Sequence, residues 1–201
     1  MLHTMATAWG ASVSLEDHLK RLRKGDLDAL AALIEQYQGR LYRYLVRLLR
    51  EPATAEDLFQ QTWLRVAERI KTYDPKRSFQ NWLFAVARNL ALDHLRRYQP
   101  ESLDEPLPSG ESRLEMLAAE GPGAEELVTE HERSAQLAAA LVLLPVVYRE
   151  VLSLRFEEDL KLEEIAEVLQ VPLSTVKSRL RRALEDLREL LGAKLRMRTQ
   201  I

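Results

Sequence analysis

The sequence contains no cysteine among its 201 residues. That absence excludes disulfide frameworks, thiol catalysis and zinc sites with cysteine ligands. No stretch approaches the ~18 uninterrupted apolar residues typical of a membrane-spanning helix. Residues 1–17 lack a basic patch followed by an apolar run, so we expect no secretory signal and a cytoplasmic location.

Signatures of catalysis are also missing. The four histidines do not show H-E-x-x-H spacing, and the sequence has neither a glycine-rich phosphate loop nor a G-x-S-x-G elbow. We therefore expect a protein that is not an enzyme, with no cofactor and no metal.

What is present is helical periodicity. No segment shows a sustained alternation of β-branched residues, whereas apolar residues recur at three- and four-residue spacing, so the sequence predicts an all-α fold. Helices are expected over residues 15–50 (two helices, with Asp26 as an internal cap and a new run after Gly39), 53–70 (with Thr54 as N-cap), 79–98, and about 124–195 with breaks near Pro145, 157–160 and 171–174.

Charge is divided unevenly along the chain. The total is -2, but residues 1–100 carry +5, residues 101–135 carry -8 and residues 136–201 carry +1. Proline, glycine and acids concentrate between two helical segments, which is typical of a linker. The predicted organisation is a tail (1–13), a first helical domain (14–99), a linker (100–123), a second helical domain (124–195) and a tail (196–201).

The second domain contains a helix-turn-helix pattern. Two apolar-periodic segments flank the short connection 170–173, and Ser174, Lys177, Ser178 and Arg181 share the side of the second helix opposite its apolar stripe. Such a helix fits a DNA major groove, where arginine can pair with guanine. A competing interpretation is an ordinary solvated charged face. Gln170 stands at a turn position often held by glycine.

The C-terminal stretch LPVVYREVLSLRFEEDLKLEEIAEVLQVPLSTVKSRLRRALEDLREL resembles region 4 of bacterial sigma factors, especially the extracytoplasmic-function (ECF) group. AEDLFQQTWLRVAERI resembles region 2.1–2.2 of the same group, and SFQNWLFAVARNLALDHLRR resembles regions 2.3–2.4. The motifs stand in the family's order from about residue 15 to residue 191.

The resemblance implies two helical domains joined by a flexible linker. Region 2 would dock on the clamp of core RNA polymerase and open the -10 promoter element, while region 4 would read the -35 duplex and rest on the polymerase flap. An anti-sigma factor is an implied partner, beside core RNA polymerase and promoter DNA.

Three sets of residues match the family's functional positions. Asp57, Gln60, Gln61 and Leu64 match the polymerase-binding motif; Phe79, Trp82, Arg88, Asn89, Arg96 and Arg97 match the -10 region; Ser174, Thr175, Lys177, Ser178, Arg179, Arg181 and Arg182 match the -35 helix.

Each set also has a physical reading. The polymerase-binding set is spaced i, i+3, i+4, i+7 and so shares one helix face, although Leu64 could instead pack inside its own domain. Aromatic rings can stack on separated bases and cations can hold the backbone, but Phe79 and Trp82 could equally be core. Asn89 is the better candidate for reading a base, because an amide both donates and accepts.

The loop before the -10 region and the acidic linker each allow two interpretations. Residues 73–78 correspond to the family's segment that captures a flipped -10 base, but Lys76 and Arg77 could simply be solvated. The linker could stand in for RNA in a basic channel or be only a tether.

Two competing functions are consistent with parts of the sequence. One is a two-domain helix-turn-helix regulator that is not a polymerase subunit, and the other is a helical interaction protein. Binding to core polymerase distinguishes a sigma factor from both, because neither of them needs it.

Overall fold

The computed structural model describes residues 14–98 and 130–198, with side chains for 14–98 and 134–192. These two ranges are called the N-terminal half and the C-terminal half below. The helices are α1 (Leu15–Arg23), α2 (Leu27–Leu49), α3 (Pro52–Arg69), α4 (Phe79–Tyr98), α5 (Glu130–Leu143), α6 (Val146–Leu152), α7 (Leu162–Leu169) and α8 (Leu173–Arg198). A 3₁₀ turn follows α3 at Ile70–Thr72, and a π-helical turn follows α6 at Ser153–Glu157. No strand occurs in either described half, and the all-α prediction is confirmed.

The first helical break lies at Gly25 and not at Gly39. Gly25 adopts a φ of +90°, which glycine tolerates without strain, and Asp26 then caps α2 by accepting from the backbone N–H of Asp28 at 3.0 Å. The sequence predicts the Asp26 cap correctly, but the predicted interruption at Gly39 is wrong. A lone glycine inside a helix costs only about 0.5–1 kcal/mol relative to alanine, and the apolar stripe of α2 continues through it.

The start of α3 also differs from expectation. The sequence predicts Thr54 as its N-cap, whereas the helix begins at Pro52 with Glu51 at the cap position. Proline is favourable at the first helical position, because its fixed φ suits the helix and its missing N–H would have no partner there. The Thr54 hydroxyl instead donates to Glu51 Oε2 at 2.7 Å.

The N-terminal half has its core between α2, α3 and α4, with α1 packed against α2. Tyr44 of α2 is fully buried and meets Phe84 of α4 edge-to-face, with ring centroids 5.1 Å apart. Edge-to-face pairs are favoured over face-to-face stacking by the ring quadrupoles. Val66 from α3 is fully buried in the same cluster.

The C-terminal half places α7 and α8 as the helix-turn-helix. Gln170 ends α7 in the left-handed region at φ 54° and ψ 42°, as its turn position predicts. The N-terminus of α7 lacks a serine cap, but the Glu164 side chain accepts from the Lys161 backbone N–H at 2.7 Å. Val176 and Ala183 anchor α8 in the core as the only fully buried members of its apolar stripe among the described side chains.

The predicted linker, its acidic charge and the predicted start of the second domain near residue 124 lie outside the described residues. Within 14–98 and 130–198, none of the helices combines the length and the apolar character needed to cross a bilayer. The same ranges contain no group of three or more His, Asp or Glu side chains arranged to hold a metal ion.

Candidate nucleic-acid and polymerase interfaces

The predicted polymerase-binding residues form an exposed face on α3. Asp57, Gln60 and Gln61 are all exposed, and Leu64 exposes 64 % of its surface. The core side of the helix is supplied by other positions, among them Trp63 at 4 % exposure. Leu64 therefore does not pack inside its own domain. A strip that mixes amides, one acid and an uncovered leucine has the composition of a protein-docking surface.

The two aromatic residues at the start of α4 are placed differently from each other. Phe79 is 2 % exposed and packs edge-to-face on Tyr37 and Tyr73, at centroid distances of 5.5 and 5.8 Å. Trp82 is half-buried and lies 5.1 Å from Tyr73. Phe79 is therefore mostly a core residue in this structure, whereas part of Trp82 remains accessible.

The loop between α3 and α4 is held by a residue of α1. Arg23, at the end of α1, donates to the backbone carbonyls of Ile70 and Tyr73 and stands 5.9 Å from the Tyr73 ring. Sequence reasoning missed Arg23, because nothing in a basic residue at a helix C-terminus points to a partner about fifty residues away.

A cavity of about 520 Å³ opens between this loop and α1. Its wall includes Tyr37, Tyr73, Arg77 and Ser78. The loop that the family resemblance associates with base capture thus borders on aromatic rings and on three cations, Lys20, Arg23 and Arg77.

The remaining predicted -10 residues lie along α4. Asn89, Arg96 and Arg97 are exposed, and Arg96 pairs loosely with Asp93 at 3.7 Å. Arg88 is mostly covered, because its Nε donates to Glu150 of the C-terminal half at 2.6 Å.

A polar cleft of about 420 Å³ borders this part of α4. Arg65 and Arg69 of α3 join Arg88 and Arg96 along it, with Asp93 as the acid in its wall. Four guanidinium groups around one carboxylate favour an anionic occupant. Arg65 and Arg69 were also missed, although their i, i+4 spacing is a signal that the sequence did contain.

On α8 the predicted -35 residues separate into two groups. Ser174, Lys177, Ser178, Arg181 and Arg182 are exposed, whereas Thr175 and Arg179 are half-buried.

Local pairing distinguishes the arginines of α8. Arg181 forms an i, i+4 ion pair with Glu185 at 2.8 Å, which holds it along the helix. The buried Nη1 of Arg179 has no hydrogen-bond partner among the described residues, and its charge acts on Glu150. Arg182 and Lys177 thus project most freely.

An apolar groove of about 290 Å³ lies on the other side of the C-terminal half. Leu141 of α5, Phe156 of the π turn and Leu187 of α8 line it, and Phe156 leaves 63 % of its surface uncovered. Arg47 of α2 borders the same groove.

The two halves pack directly on each other, which the sequence did not predict. Helix α7 packs on α4, and α6 packs on α2. Two buried acids of the C-terminal half carry this contact: Glu150 accepts from Arg88, and Glu158 accepts from Arg40 Nε at 2.8 Å. Burial raises the pKa of both carboxyls, against the lowering effect of their arginine partners.

Comparisons with known proteins match both halves to one family. The family model described as Sigma-70 region 2 matches residues 33–101, and the one described as Sigma-70, region 4 matches residues 134–187. The chain is 33 % identical over 180 residues to the ECF RNA polymerase sigma factor SigW of Bacillus subtilis, covering 88 % of this chain and 96 % of that relative. It is 37 % identical over 160 residues to the ECF RNA polymerase sigma factor SigE of Mycolicibacterium smegmatis, covering 80 % of this chain and 60 % of that relative.

Two solved structures share the fold. CnrH, in complex with the cytosolic domain of CnrY, aligns with a TM-score of 0.63 at 23 % identity over 88 % of this chain and 96 % of that chain. The sigma factor RpoE from Bartonella quintana, in complex with the anti-sigma factor NepR, aligns with a TM-score of 0.58 at 23 % identity over 81 % of this chain and 96 % of that chain. With both sigma regions in order and relatives matched along most of its length, the chain belongs to the ECF group of RNA polymerase sigma factors, which bind core polymerase and direct it to promoters.

Proposed function

We propose that the exposed α3 face of Asp57, Gln60, Gln61 and Leu64 is the surface through which this sigma factor binds core polymerase. The observation that carries this proposal is the uncovered Leu64, since a leucine exposed to 64 % beside two amides has no role inside its own half. The acid and the amides would supply directional contacts, and Leu64 would supply the apolar contact at the centre.

Promoter opening is assigned to α4 and the polar cleft beside it. Arg88, Arg96 and Arg97 would hold phosphates of the separated strand, and Asn89 would contact a base edge. Arg65 and Arg69 extend the cationic wall on the α3 side of the cleft. The half-exposed Trp82 is retained as a stacking residue, whereas Phe79 supports the aromatic cluster from within the core.

The cavity under the loop is proposed as the site that receives a -10 base. Tyr73 and Tyr37 present rings to it, and Arg77 stands at its wall. Arg23 fixes the loop through the carbonyls of Ile70 and Tyr73, so that the cavity is preformed. An extruded base recovers in such a pocket part of the stacking that it loses on leaving the strand.

The exposed side of α8 is proposed to read the -35 duplex. Arg182 and Lys177 point outward without an intramolecular ion pair among the described contacts, so they are available to base edges and phosphates. Arg181 would exchange Glu185 for DNA. The small Ser174 and Ser178 side chains let the N-terminal end of α8 approach the groove closely.

The apolar groove of the C-terminal half is proposed as the seat on the polymerase flap. Its lining by Leu141, Phe156 and Leu187 suits an apolar side of a helix or loop, and the uncovered Phe156 would be buried on contact.

We also propose an anti-sigma factor as a partner, by analogy with the two similar structures, which were solved with CnrY and with the anti-sigma factor NepR. Acting as a promoter-selecting subunit without a catalytic role of its own, the protein would work in the cytoplasm beside polymerase and DNA.

Run-off transcription from a genomic library tests the function. Purified core polymerase is assayed alone, with this chain, and with the Asp57→Ala, Gln60→Ala double variant. We expect new start sites only with the unmodified chain and a large loss with the double variant. A chain that binds promoter DNA but neither binds core polymerase nor creates start sites would instead be a helix-turn-helix regulator.

A further inference from the structure

The contact between the halves is divided by charge. Glu150, Glu157 and Glu158 all belong to the C-terminal half, and the arginines that form ion pairs with them all belong to the N-terminal half. Arg88 reaches Glu150 at 2.6 Å, Arg47 reaches Glu157 at 3.0 Å, and Arg40 reaches Glu158 at 2.8 Å. The acid face of the C-terminal half thus complements the basic face of the N-terminal half.

Local geometry explains how this match arises. Arg40, Tyr44 and Arg47 are spaced i, i+4 and i+7, so they form one row on α2. The π turn widens the helical step after α6, and with it the consecutive Glu157 and Glu158 both face that row. The Tyr44 hydroxyl, from the same row of α2, donates to Glu150 at 3.3 Å.

One arginine of the C-terminal half, in turn, binds to the N-terminal half. Arg149 inserts into the C-terminal end of α2, where its Nε donates to the Arg47 carbonyl at 3.1 Å and its Nη2 donates to the Leu48 carbonyl at 3.0 Å. The last carbonyls of a helix lack intrahelical partners and carry the negative end of its dipole, so a cation is favourable there. Burial lowers the pKa of Arg149 to about 10, which leaves it charged at neutral pH.

This arrangement covers a DNA-binding candidate. Only 11 % of the Arg88 side chain is exposed, and the carboxylate of Glu150 occupies the position on its Nε that a phosphate oxygen would take. Gln170, at the turn of the helix-turn-helix, lines the same cleft as Asn89 and Arg96. The C-terminal half therefore stands over the cleft that α4 would offer to the separated strand.

We infer that the free chain is autoinhibited by its own C-terminal half, with Glu150 holding Arg88 in place of a DNA phosphate and with Arg40, Arg47 and Arg149 latching the closed form. This inference rests on the proposed -10 role of α4. Opening of the chain must precede strand binding, and a partner that binds only the open form promotes initiation by shifting that equilibrium.

The latch has the properties of a reversible device. Buried ion pairs lose hydration that offsets much of their attraction, and half-exposed pairs such as Arg47–Glu157 contribute little. The two halves are nevertheless parts of one chain, so each weak pair acts at a high effective concentration. Such a contact forms readily and is displaced by a partner surface that binds either half more tightly.

A reducible crosslink across the latch gives the direct test. Arg47→Cys and Glu157→Cys are introduced together and joined by a bifunctional methanethiosulfonate reagent, which is clean here because the sequence has no other cysteine. The crosslinked chain should lose at least about tenfold in run-off initiation with core polymerase, and reduction should restore it. Each single-cysteine variant, treated in the same way, is the control.

The outcomes separate this inference from the proposed function. Equal initiation by the crosslinked and reduced chains would overturn autoinhibition while leaving the sigma activity intact. If neither form initiates, the proposed function fails. The existence of the closed form is then tested separately, by measuring the distance between the halves.

That distance is measured by energy transfer between dyes at Glu68→Cys on α3 and Glu163→Cys on α7, both exposed positions. Arg47→Glu and Glu157→Arg should each enlarge the open fraction about two- to fivefold, and the double swap should close the chain again. The single variants change net charge in opposite directions, so opening by both cannot be a net-charge effect. Failure of the swap to restore the closed distance would contradict the latch.

Discussion

Trp63 and Leu64 are neighbours in the sequence and lie on different faces of α3, with 4 % and 64 % of their surfaces exposed. The first is held in the core of the N-terminal half, and the second faces outward in line with Asp57, Gln60 and Gln61. Two consecutive positions of one helix therefore serve different purposes, the first in the core and the second on the proposed docking face.

That separation predicts two different mutant phenotypes. Asp57→Ala with Gln60→Ala should weaken binding to core polymerase while changing the free energy of unfolding by no more than about 0.5 kcal/mol, because both side chains are exposed. Trp63→Ala should instead cost about 3–5 kcal/mol of stability. Thermal melting and a core-binding titration make the comparison. A double variant that unfolds would show that the exposed face is structural.

The recognition helix predicts unequal roles for its arginines. Arg182→Ala should relax selectivity at one -35 position by about 1–3 kcal/mol, as expected for the loss of a bidentate base contact. Arg179 is expected to act as a phosphate contact, and Arg179→Ala should weaken binding to all sequences alike. Binding of each variant to a panel of single-base -35 changes decides this. A uniform loss for Arg182→Ala would rule out its base-reading role.

Left-handed backbone at the turn predicts a stabilising substitution. Gln170 has φ 54°, a conformation that strains an ordinary side chain by about 1 kcal/mol and that glycine adopts freely. Gln170→Gly should therefore raise the free energy of unfolding by up to about 1 kcal/mol, whereas Gln170→Ala should not. Denaturant unfolding of both variants measures the difference, and equal midpoints would show that the turn is unstrained.

The buried acids predict how closure depends on pH. Burial raises the pKa of Glu150 and Glu158 in the closed form, even though Arg88, Arg40 and the Tyr44 hydroxyl favour their ionised forms. The closed form thus binds more protons than the open form, so closure is strongest below the ordinary value of 4.5 and weakens as the pH rises through the raised values.

Energy transfer between the two halves across pH 4.5 and above tests that sign, with Glu150→Gln as the variant that should flatten part of the profile. Closure that strengthens as the pH rises would mean that the arginines outweigh burial.

The acidic segment supplies a further, separate prediction. Replacing residues 101–122 by a neutral Gly/Ser linker of equal length should increase binding of the free chain to a duplex -35 site, most at low salt, because the tethered acids compete for the same cations. Identical binding by the two chains at low salt would reduce the segment to a tether. The latch variant Arg47→Glu provides the comparison, since it opens the halves without altering the linker.

Local features were the predictable part of this molecule. The bounds of α4, the Asp26 cap and the left-handed Gln170 follow from residues within a few positions of one another. The predicted break at Gly39 is wrong because the low helix propensity of one glycine counts for less than the continuous apolar stripe of α2 around it.

The contact between the halves was beyond sequence reasoning. Arg88 and Glu150 are 62 residues apart, and Arg40 and Glu158 are 118 apart. The sequence indicates a DNA-binding role for Arg88 and nothing beyond an ordinary surface charge for the other three, so neither pairing could be predicted. Arg23 likewise gives no sign of the loop that it holds. Pairings of this kind depend on how two apolar faces meet, and single-residue patterns do not encode that.

The π turn at Ser153–Glu157 contains one residue more per turn than an α-helix would. Deleting a single codon there would let α6 continue as regular helix and rotate everything that follows by about 100°. Glu157 and Glu158 would no longer both meet α2, and α8 would lose its register against α6, on which it packs. The extra residue therefore sets two registers at once, that of the acids on α2 and that of α8 on α6, so the loss of one codon at this turn should be tolerated far less well than the loss of one in an exposed loop.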